Sequence, residues 1–484
     1  MSGKTNRKAS IINVDVAIIG AGSAGMAAYR AARMHTQSVV LIEAEKYGTI
    51  CARVGCMPSK LLIAAAEAAH RATHADRFGI HCSAVRVDGR QVMERVRRER
   101  DRFVALVTET VEQWPSDMRL FGRARFVDPH TLAVGDQVVR ADRIVIATGS
   151  SPAVPELWRT LGRRVIVNDD VFDWLDLPES VAVAGMGVIG LELAQALSRL
   201  GVRVRGFGRA NSFGPLTDPE LLAKTKQIIG PELNYDSEAA ITAVEATREG
   251  VNVNYSDASG GHTEAFDYLL VTTGRRPNVH DLALENAGIQ VDEAGVPIFD
   301  PTTGQVGASH IFIAGDATQQ RPLLHEAADL GRIAGDNAGR FPDLIVRPRR
   351  VPLSIVFSDP QIMIVGASRA ELERSSHDFV VGTASFEDQG RSRVMGINAG
   401  ALHVYIDRRT TRLLGAEMVG PNAEHIGHLL AWAQQAERTL QQMLDSPFYH
   451  PVVEEGVRTA LRAAKSQLGD LHITEPCIDC TPAI

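Results

Sequence analysis

The sequence predicts an α/β protein with two Rossmann-like dinucleotide-binding units, followed by a C-terminal α+β unit. A glycine trio occurs twice, each time between a predicted buried strand and a predicted helix. After Arg350 the chain changes to short strand-like segments followed by two predicted helices. One glycine trio would be weak evidence, but two with the same flanks favour two nucleotide-binding units over two ordinary βαβ turns.

The first unit begins with a short β-branched strand at Val14–Ile19, which stops at Gly20. Gly22 and Gly25 complete the trio, and a second predicted strand ends in Glu43. The first glycine permits the turn, the second lets the backbone approach a pyrophosphate, and the third lets the helix pack on the strand. An acid at the end of the second strand is placed to bind a ribose, so Glu43 is the predicted ribose ligand.

The second unit repeats this arrangement with Gly185, Gly187 and Gly190. A short apolar strand, Val181–Ala184, precedes the trio, and a further strand is predicted at Val202–Phe207. This second trio predicts a second nucleotide site in the same chain.

Composition and charge exclude several classes of protein. The chain has 484 residues, of which 45% are hydrophobic and 23% charged, which is typical of a globular protein of several domains. Lys and Arg total 51 against 58 for Asp and Glu, a net charge of −7, which disfavours a nucleic-acid partner. No apolar run approaches the ~18 residues of a membrane span, and we predict neither a signal peptide nor a membrane association. Five cysteines in so long a chain favour a reducing compartment, which we predict to be the cytoplasm.

Cys51 and Cys56 follow the second strand of the first unit closely. Residues five apart in a regular helix have Cα atoms roughly 8.6 Å apart, whereas a disulfide needs about 4.4–6.8 Å. The pair can therefore bridge only where the helix is irregular, and Gly55 and Pro58 supply that freedom. Two inert thiols are one alternative, and a zinc site shared with the C-terminal thiols is another. Proximity to the dinucleotide motif favours a redox-active disulfide, and we predict no bound metal.

The segment Cys51-Ala-Arg-Val-Gly-Cys56-Met-Pro-Ser-Lys60, after the first glycine trio, resembles the class I pyridine nucleotide–disulfide oxidoreductases. This family includes dihydrolipoamide dehydrogenase, glutathione reductase and mercuric reductase. The resemblance covers nearly the whole chain, and its other motifs are Ala147-Thr148-Gly149, the second glycine trio, Gly274-Arg275-Arg276-Pro277-Asn278, Ala314-Gly315-Asp316-Ala317, Gly415-Ala-Glu-Met-Val-Gly420, and His450-Pro451 with Glu455. One departure is Ile50, which stands where the family has a threonine and cannot supply that hydroxyl on the flavin side.

The resemblance implies FAD on the first unit and NAD(H) or NADP(H) on the second. Glu43 would bind the FAD ribose, and Asp316 would lie near the ribitol. The cofactor-binding residues so implied are Gly20, Gly22, Gly25, Glu43, Lys60, Thr148, Gly149, Gly185, Gly187, Gly190, Arg209, Gly274, Asp316 and Ala317. The implied domains are an FAD-binding domain in 1–155 that 281–349 completes, an NAD(P)-binding domain in 156–280 and a dimerisation domain in 350–484.

The resemblance also implies catalytic roles. Cys56 would lie against the flavin as the charge-transfer thiol, and Cys51 would exchange with the substrate. Lys60 and Glu192 would form an ion pair beside the flavin, where a fixed positive charge favours reduced flavin and thiolate.

His450 would be the acid/base for Cys51, with Glu455 orienting its ring. In the family this histidine reaches the other subunit's active site, so a homodimer is expected.

The nucleotide preference is predicted from the end of the second strand of the second unit. NAD-specific members carry an acid there, whereas this chain has Gly208 followed by Arg209, with Arg203 and Arg205 nearby. An arginine suits a 2′-phosphate, so the prediction leans to NADP(H). A second arginine is lacking at the next expected position, which is Pro215.

The substrate is predicted to be a small dithiol or disulfide, and a dihydrolipoamide dehydrogenase-like activity is the leading prediction. The alternatives are an NADPH-dependent reductase of the glutathione reductase type and a mercuric reductase that uses Cys477 and Cys480. A non-catalytic flavin-binding protein is a remote alternative, because binding alone needs neither the cysteine pair nor His450. Cys82 has no evident partner in the sequence and is expected to be a packing residue.

Overall fold

A mostly parallel sheet holds the first glycine motif at the carboxyl end of its first strand. The computed structural model describes residues 10–209 and 213–469. The elements of the N-terminal part are β1 Ser10–Ile19, α1 Ser23–Ala32, β2 Val39–Glu43, α2 Ile50–Val54, α3 Cys56–Thr73, α4 Gly89–Glu112, β3 Arg119–Phe121, β4 Ala124–Asp128, β5 Thr131–Val134, β6 Gln137–Ile146 and β7 Ser150–Pro152. The strand order is β3-β2-β1-β6-β5-β4, with parallel pairing from β3 to β6 and an antiparallel meander from β6 to β4.

The apolar run of β1 is continuous because both faces of the strand are buried. Val16 and Ile18 pack in one hydrophobic cluster with α1. Ala17 and Ile19 pack in another cluster with the meander strands. Since β1 and β2 are parallel, their carboxyl ends lie at the same edge, and this brings Gly20 next to Glu43.

A second parallel sheet holds the second glycine motif. The elements of this part are α5 Glu156–Arg159, β8 Val165–Ile166, α6 Asn168–Val171, β9 Ser180–Ala184, α7 Val188–Arg199, β10 Arg203–Phe207, α8 Pro219–Ile229, β11 Ala240–Ala246, β12 Val251–Asp257, β13 Gly260–Phe266, β14 Tyr268–Val271 and β15 Arg275–Pro277. The parallel sheet has the order β10-β9-β14-β8, and the antiparallel sheet β11-β12-β13 packs against it through a shared cluster.

After the second unit the chain returns to the first sheet. Two elements make this return, β16 Ile311–Ile313 and α9 Leu324–Arg340. Strand β16 pairs in parallel with β6, and α9 packs against α1. The domain limits drawn at 155, 280 and 349 stay a prediction.

The C-terminal part is an antiparallel sheet covered by helices. Its elements are β17 Leu353–Val356, β18 Gln361–Gly366, α10 Arg369–Arg374, β19 Phe379–Ser385, α11 Gly390–Val394, β20 Ala401–Asp407, β21 Leu413–Gly420, α12 Ala423–Gln435, α13 Leu440–Leu444 and α14 Glu455–Leu468. The order is β17-β18-β21-β20-β19. The predicted fold class is confirmed. The sequence predicts strand-like segments at 353–357, 362–365, 401–406 and 413–419, but not the edge strand β19, whose apolar pattern is interrupted by Gly382.

Candidate active site

The two cysteines lie on either side of a break between two helices. Helix α2 ends at Val54 and α3 begins at Cys56, so only Gly55 separates them. The Gly55 backbone (φ −125°, ψ −119°) leaves the helical region. A side chain at Gly55 would lie 3.1 Å from the Cα of Cys51, so a glycine allows this close approach. The irregular helix that a bridge between the cysteines requires is therefore present.

Cys51 and Cys56 are free thiols that hydrogen-bond to each other, and the two are not equivalent. Cys51 donates to Cys56, which raises the pKa of Cys51 above its usual value. The same hydrogen bond, assisted by the ammonium group of Lys60, lowers the pKa of Cys56 to about 7. The pair therefore favours a thiolate at Cys56 and a protonated thiol at Cys51 near neutral pH.

Lys60 lies one helical turn beyond Cys56 and pairs with Glu192 of α7. Its Nζ lies 2.9 and 2.7 Å from the two carboxylate oxygens of Glu192. The Glu192 side chain is 5% exposed and the Lys60 side chain 32% exposed. The predicted ion pair is thus formed, and its cation faces the cavity that also holds the cysteines.

Two neighbouring cavities extend from the cysteines to the end of β2. The first, of about 420 Å³, is lined by both cysteines, Lys60, Glu192 and Asp316. The second, of about 700 Å³, is lined by Glu43, Thr148 and the first glycine turn. They share the lining residues Gly22, Ile50, Ala147, Gly149 and Arg275. Together they form an elongated cleft with the thiols at one end.

The glycines of the two trios divide into packing and ligand-facing positions. A side chain at Gly20 would lie 2.3 Å from the carbonyl oxygen of Ala147, and one at Gly25 would lie 1.8 Å from that of Gly20. A side chain at Gly22 or Gly187 would meet open space. The middle glycine of each trio is therefore the one that leaves room for a ligand beside the helix N-terminus.

In the second trio, Gly185 and Gly190 are the packing positions. Added side chains would lie 2.5 Å from the carbonyl oxygen of Thr272 and 1.8 Å from that of Gly185, respectively. Gly274 follows the neighbouring strand β14 and has open space at its α-carbon. The second unit therefore repeats the geometry of the first.

The chemistry of the cleft lining fits FAD. Glu43 Oε2 accepts a hydrogen bond from the N–H of Ala21 at 2.8 Å, which holds the carboxylate at the rim of the larger cavity. The Thr148 hydroxyl is buried there and has no partner among the described residues. A buried hydroxyl without a partner is unfavourable, so this group is suited to a polar ligand atom.

Asp316 lies in a short 3₁₀ turn, Gly315–Thr318. The following residue of the same turn, Ala317, is fully buried. The Asp316 carboxylate accepts from the Ser150 hydroxyl at 2.8 Å, and that hydroxyl accepts from Arg275 Nε at 2.8 Å. Strands β7 and β15 pair, and this pairing brings Arg275 to Ser150. The aspartate is thus oriented by residues of two distant segments.

Ile50 stands where the family resemblance implies a threonine, and the threonine of this chain, Thr49, precedes it by one residue. The Thr49 hydroxyl accepts from the N–H of Ala52 at 3.1 Å and caps α2. Ile50 lines both cavities. The cleft therefore has an apolar side chain at this point, and the threonine hydroxyl serves the helix.

His450 and Glu455 form the predicted pair, but they lie away from the cleft of their own chain. His450 Nδ1 is 3.0 Å from Glu455 Oε2, and Arg458 donates to the other carboxylate oxygen at 2.8 Å. The His450 side chain is 66% exposed and, in the part of the chain that the structure describes, is not among the residues lining the thiol cavity. The ring is oriented and available to a group outside this chain.

Of the three arginines near the second nucleotide site, Arg203 and Arg209 are exposed and Arg205 is half-buried. Arg203 donates to Glu264 at 2.5 Å, and Arg205 lies 3.7 Å from the same carboxylate. Arg205 also lies over the ring of Tyr255, with its guanidinium carbon 4.3 Å from the ring centroid. Arg203 and Arg205, which the sequence places near Arg209, therefore pair with Glu264 of strand β13.

Sequence reasoning missed several residues of the site because they come from distant segments. Phe357, His325 and His428 line the thiol cavity. Asn168 donates to the carbonyl oxygen of Val54, which supports the end of α2. These residues are far from the cysteines in the chain, so no sequence spacing points to them.

The remaining cysteines are Cys82, Cys477 and Cys480. Cys82 is exposed, so the expectation that it is a packing residue is wrong. Cys477 and Cys480 lie outside the described residues.

Comparison with known proteins assigns the family. The family model for pyridine nucleotide-disulphide oxidoreductases matches residues 14–331. The chain belongs to this family. The model of the family's dimerisation domain matches residues 352–461, which supports the formation of a homodimer.

Individual relatives agree with this assignment. Dihydrolipoyl dehydrogenase of Bacillus subtilis is 27% identical over 466 residues, which cover 93% of this chain and 98% of the relative. Mercuric reductase of Shigella flexneri is 30% identical over 480 residues, which cover 97% and 84%. The flavoprotein disulfide reductase RclA of Escherichia coli superposes with a TM-score of 0.76 at 25% identity and covers 94% of this chain and 99% of RclA. This pyridine nucleotide-disulphide oxidoreductase is therefore an FAD-dependent enzyme that exchanges electrons between a pyridine nucleotide and a disulfide.

Between residues 10 and 209 and between 213 and 469, no helix has the length and apolar character to cross a membrane. Within the same ranges, no group of three or more His, Cys, Asp and Glu side chains is arranged to hold a metal ion.

Proposed function

We propose that this enzyme oxidises a small dithiol of the dihydrolipoamide type. The observation that carries the proposal is the unequal cysteine pair beside Lys60, in a cavity continuous with the first glycine motif. Relatives that bear the name dihydrolipoyl dehydrogenase in Bacillus subtilis and Geobacillus stearothermophilus span 93% and 96% of the chain and support this choice. Thiols of this kind would suit a reducing compartment such as the cytoplasm.

Cofactor binding is assigned to the two glycine units. Gly22, Glu43, Thr148, Gly149 and Asp316 would hold FAD along the cleft. Gly187 and the N-terminus of α7 would hold the pyridine nucleotide, because this is the open position of the second trio. FAD, when bound, supplies two-electron transfer between the nicotinamide and the cysteine pair.

The cysteine pair would carry the exchange with substrate. In the oxidised enzyme a substrate thiolate attacks Sγ of Cys51, the Cys51–Cys56 bond breaks, and Cys56 leaves as a thiolate. The second substrate thiolate then attacks the mixed disulfide and releases Cys51, so the substrate loses two electrons as a disulfide. A leaving group with a lowered pKa departs faster, which suits Cys56 to its position.

His450 would accept the protons that the substrate thiols release. Its Nδ1 is held by Glu455, which leaves Nε2 to act on the reacting thiol. Because the ring is exposed and outside the cleft of its own chain, we assign it to the active site of the second subunit of a homodimer.

The thiolate at Cys56 predicts a specific pH dependence. In the reduced holoenzyme, the long-wavelength charge-transfer absorbance of a thiolate beside flavin should increase as the pH rises through about 7. Cys51→Ala removes the donor to Cys56, so the midpoint should move to higher pH. Cys51→Ser retains a hydroxyl donor and is the matched control, with a midpoint closer to that of the parent enzyme. Equal midpoints in Cys51→Ala and the parent would contradict the assigned hydrogen bond.

Arg209 is proposed to bind the 2′-phosphate of NADP(H). It is exposed at the end of β10, and Gly208 leaves no acid there to bind ribose hydroxyls. Arg209→Glu should raise the KM for NADPH by about 10-fold or more, with a smaller effect on NADH. Arg248→Glu, on the exposed turn between β11 and β12, makes the same charge change and should leave both KM values unaltered. A higher kcat/KM for NADH than for NADPH in the parent enzyme would contradict the assignment.

The substrate proposal is tested by initial rates of dihydrolipoamide oxidation with NAD⁺ and NADP⁺ in parallel. Fast turnover would support the dihydrolipoyl dehydrogenase activity, and the ratio of the two rates would report the nucleotide preference. Negligible turnover with both, in enzyme whose flavin NADPH still reduces, would overturn it. The second candidate is then an NADPH-dependent reductase of another disulfide or of mercuric ion, which Arg209 and the 30% identity to a mercuric reductase favour.

A further inference from the structure

Three polar side chains on one face of α7 are buried where the second nucleotide unit meets the C-terminal unit. Glu192, Gln195 and Arg199 are spaced by three and four residues, so they lie on the same side of the helix. Glu192 and Gln195 are each 4% exposed, and the Arg199 side chain is 6% exposed. Buried polar groups require partners, so the partners show what this face of the helix holds.

Gln195 and Arg199 both bind Asp359, which lies in the turn between β17 and β18. The N–H of Asp359 donates to Gln195 Oε1 at 2.8 Å, and its carbonyl oxygen accepts from Gln195 Nε2 at 2.8 Å. Arg199 donates to the Asp359 carboxylate at 2.8 Å and to the same carbonyl oxygen at 3.3 Å. The main chain of the turn is therefore held on both its N–H and its carbonyl side.

The charge of Arg199 is matched by a second carboxylate. Arg199 Nε lies 2.6 Å from Glu232, which also accepts from Gln195 Nε2 at 2.8 Å. Two carboxylates and one main-chain carbonyl oxygen thus accept from the guanidinium, and such charge-assisted, multidentate contacts have a defined geometry.

The same turn contacts the catalytic ion pair. The N–H of Phe357 donates to Glu192 Oε1 at 2.9 Å, on the carboxylate that also binds Lys60. The ring of Phe357 has its centroid 4.7 Å from Lys60 Nζ, within the range of a cation–π contact. Phe357 therefore contacts both members of the ion pair, Glu192 through its main-chain N–H and Lys60 through its ring.

We propose that Gln195 and Arg199 are positioning residues that hold residues 357–359 against α7 and thereby fix the Lys60–Glu192 pair beside Cys56. This inference rests on the proposed role of the pair in stabilising the thiolate. Without the two anchors, Phe357 would withdraw its N–H from Glu192 and its ring from Lys60. The Glu192 carboxylate would then lose a hydrogen bond that offsets its negative charge, and the Lys60 ammonium would be held less firmly near Cys56. Both changes disfavour a thiolate at Cys56.

The test is the pH dependence of the charge-transfer absorbance in reduced holoenzyme of Gln195→Met. Methionine keeps the length of the side chain and removes its amide, so both contacts to the Asp359 main chain are lost. The midpoint for Cys56 should move upward by roughly 0.5–1 pH unit, in keeping with the loss of hydrogen bonds next to a charged pair. Arg199→Lys keeps the charge but not the fork of donors, so it should shift the midpoint in the same direction by less.

Ser198→Ala is the matched control. Ser198 lies on the same helix and donates to the carbonyl oxygen of Glu232 at 2.8 Å, and among the described residues its hydroxyl forms no hydrogen bond with residues 357–359. This variant should keep the parent midpoint, whereas a general loosening of α7 would shift it too.

Lys60→Met distinguishes the positioning role of Gln195 and Arg199 from the thiolate-stabilising role of the ion pair itself. A shift in Lys60→Met with an unchanged midpoint in folded, FAD-loaded Gln195→Met and Arg199→Lys would overturn the positioning role and leave the proposed function intact. An unchanged midpoint in Lys60→Met itself would overturn both the thiolate-stabilising role of the pair and the inference built on it. Equal shifts in Ser198→Ala and Gln195→Met would also overturn the inference.

Discussion

Cys56→Ser is expected to bind FAD and accept electrons from the pyridine nucleotide, yet to lose the oxidation of dithiols by at least ~10³-fold. A serine hydroxyl cannot form a bond with Cys51 that reversibly stores two electrons. The cysteines line the thiol cavity but not the cavity that Glu43 and Thr148 line, so the residues proposed to hold the ribose end of FAD are untouched. The measurement is the steady-state rate with dihydrolipoamide, together with the flavin content and anaerobic reduction by NADPH.

Cys82→Ser makes the same substitution at an exposed thiol and should leave all three quantities unchanged. Retained dithiol turnover in Cys56→Ser would contradict the assignment of the redox pair. Loss of flavin from this variant would indicate a structural defect, and Cys56→Ala, which leaves no polar atom in the side chain at position 56, then serves as the test. A loss of dithiol oxidation smaller than ~10³-fold in flavin-loaded Cys56→Ala would also contradict the assignment.

The second large effect is expected at His450. His450→Gln should lower the rate of dithiol oxidation by about 10²–10⁴-fold, the range for removal of a general acid or base. Glutamine retains a polar side chain of similar size but cannot transfer a proton near neutral pH. The measurement is the initial rate of dihydrolipoamide oxidation by the variant and by the parent enzyme.

A mixed dimer shows which subunit this histidine serves. Co-expression of His450→Gln and Cys56→Ser chains with two different affinity tags yields heterodimers that carry one defect in each subunit. If His450 acts across the interface, one of the two sites combines intact cysteines with an intact histidine, and about half of the parent activity per dimer returns. If His450 acts within its own chain, both sites are defective and the heterodimer stays inactive, which would contradict the proposal.

Local sequence was sufficient for the two glycine units and for the cysteine pair. Continuous β-branched runs such as Val181–Ala184 predicted buried parallel strands, and the glycines after them predicted the turns. Gly55 between the cysteines predicted the break that separates α2 from α3. These features depend on residues close in the chain, because backbone conformation and strand burial are decided over short windows.

The Lys60–Glu192 ion pair needed the family resemblance, because nothing in the spacing of the two residues links them. Lys60 and Glu192 are 132 residues apart, yet their charged atoms lie within 2.9 Å. Strand β19 was missed because its pattern alone does not distinguish an edge strand from a loop. The pairing of Arg203 and Arg205 with Glu264 could not be predicted from the sequence either, because Glu264 lies on another sheet.

The sequence determines that a pair of cysteines is present at the site, and the tertiary structure determines which of the two is the thiolate. The residues at positions 51 and 56 are cysteines in any conformation, and a disulfide carrier follows from their placement after a nucleotide motif. Which of them holds the thiolate was decided by a hydrogen bond and by an ammonium that Glu192 and Phe357 hold in place. A pKa depends on the charges and donors within a few ångströms, and only folding brings those groups together.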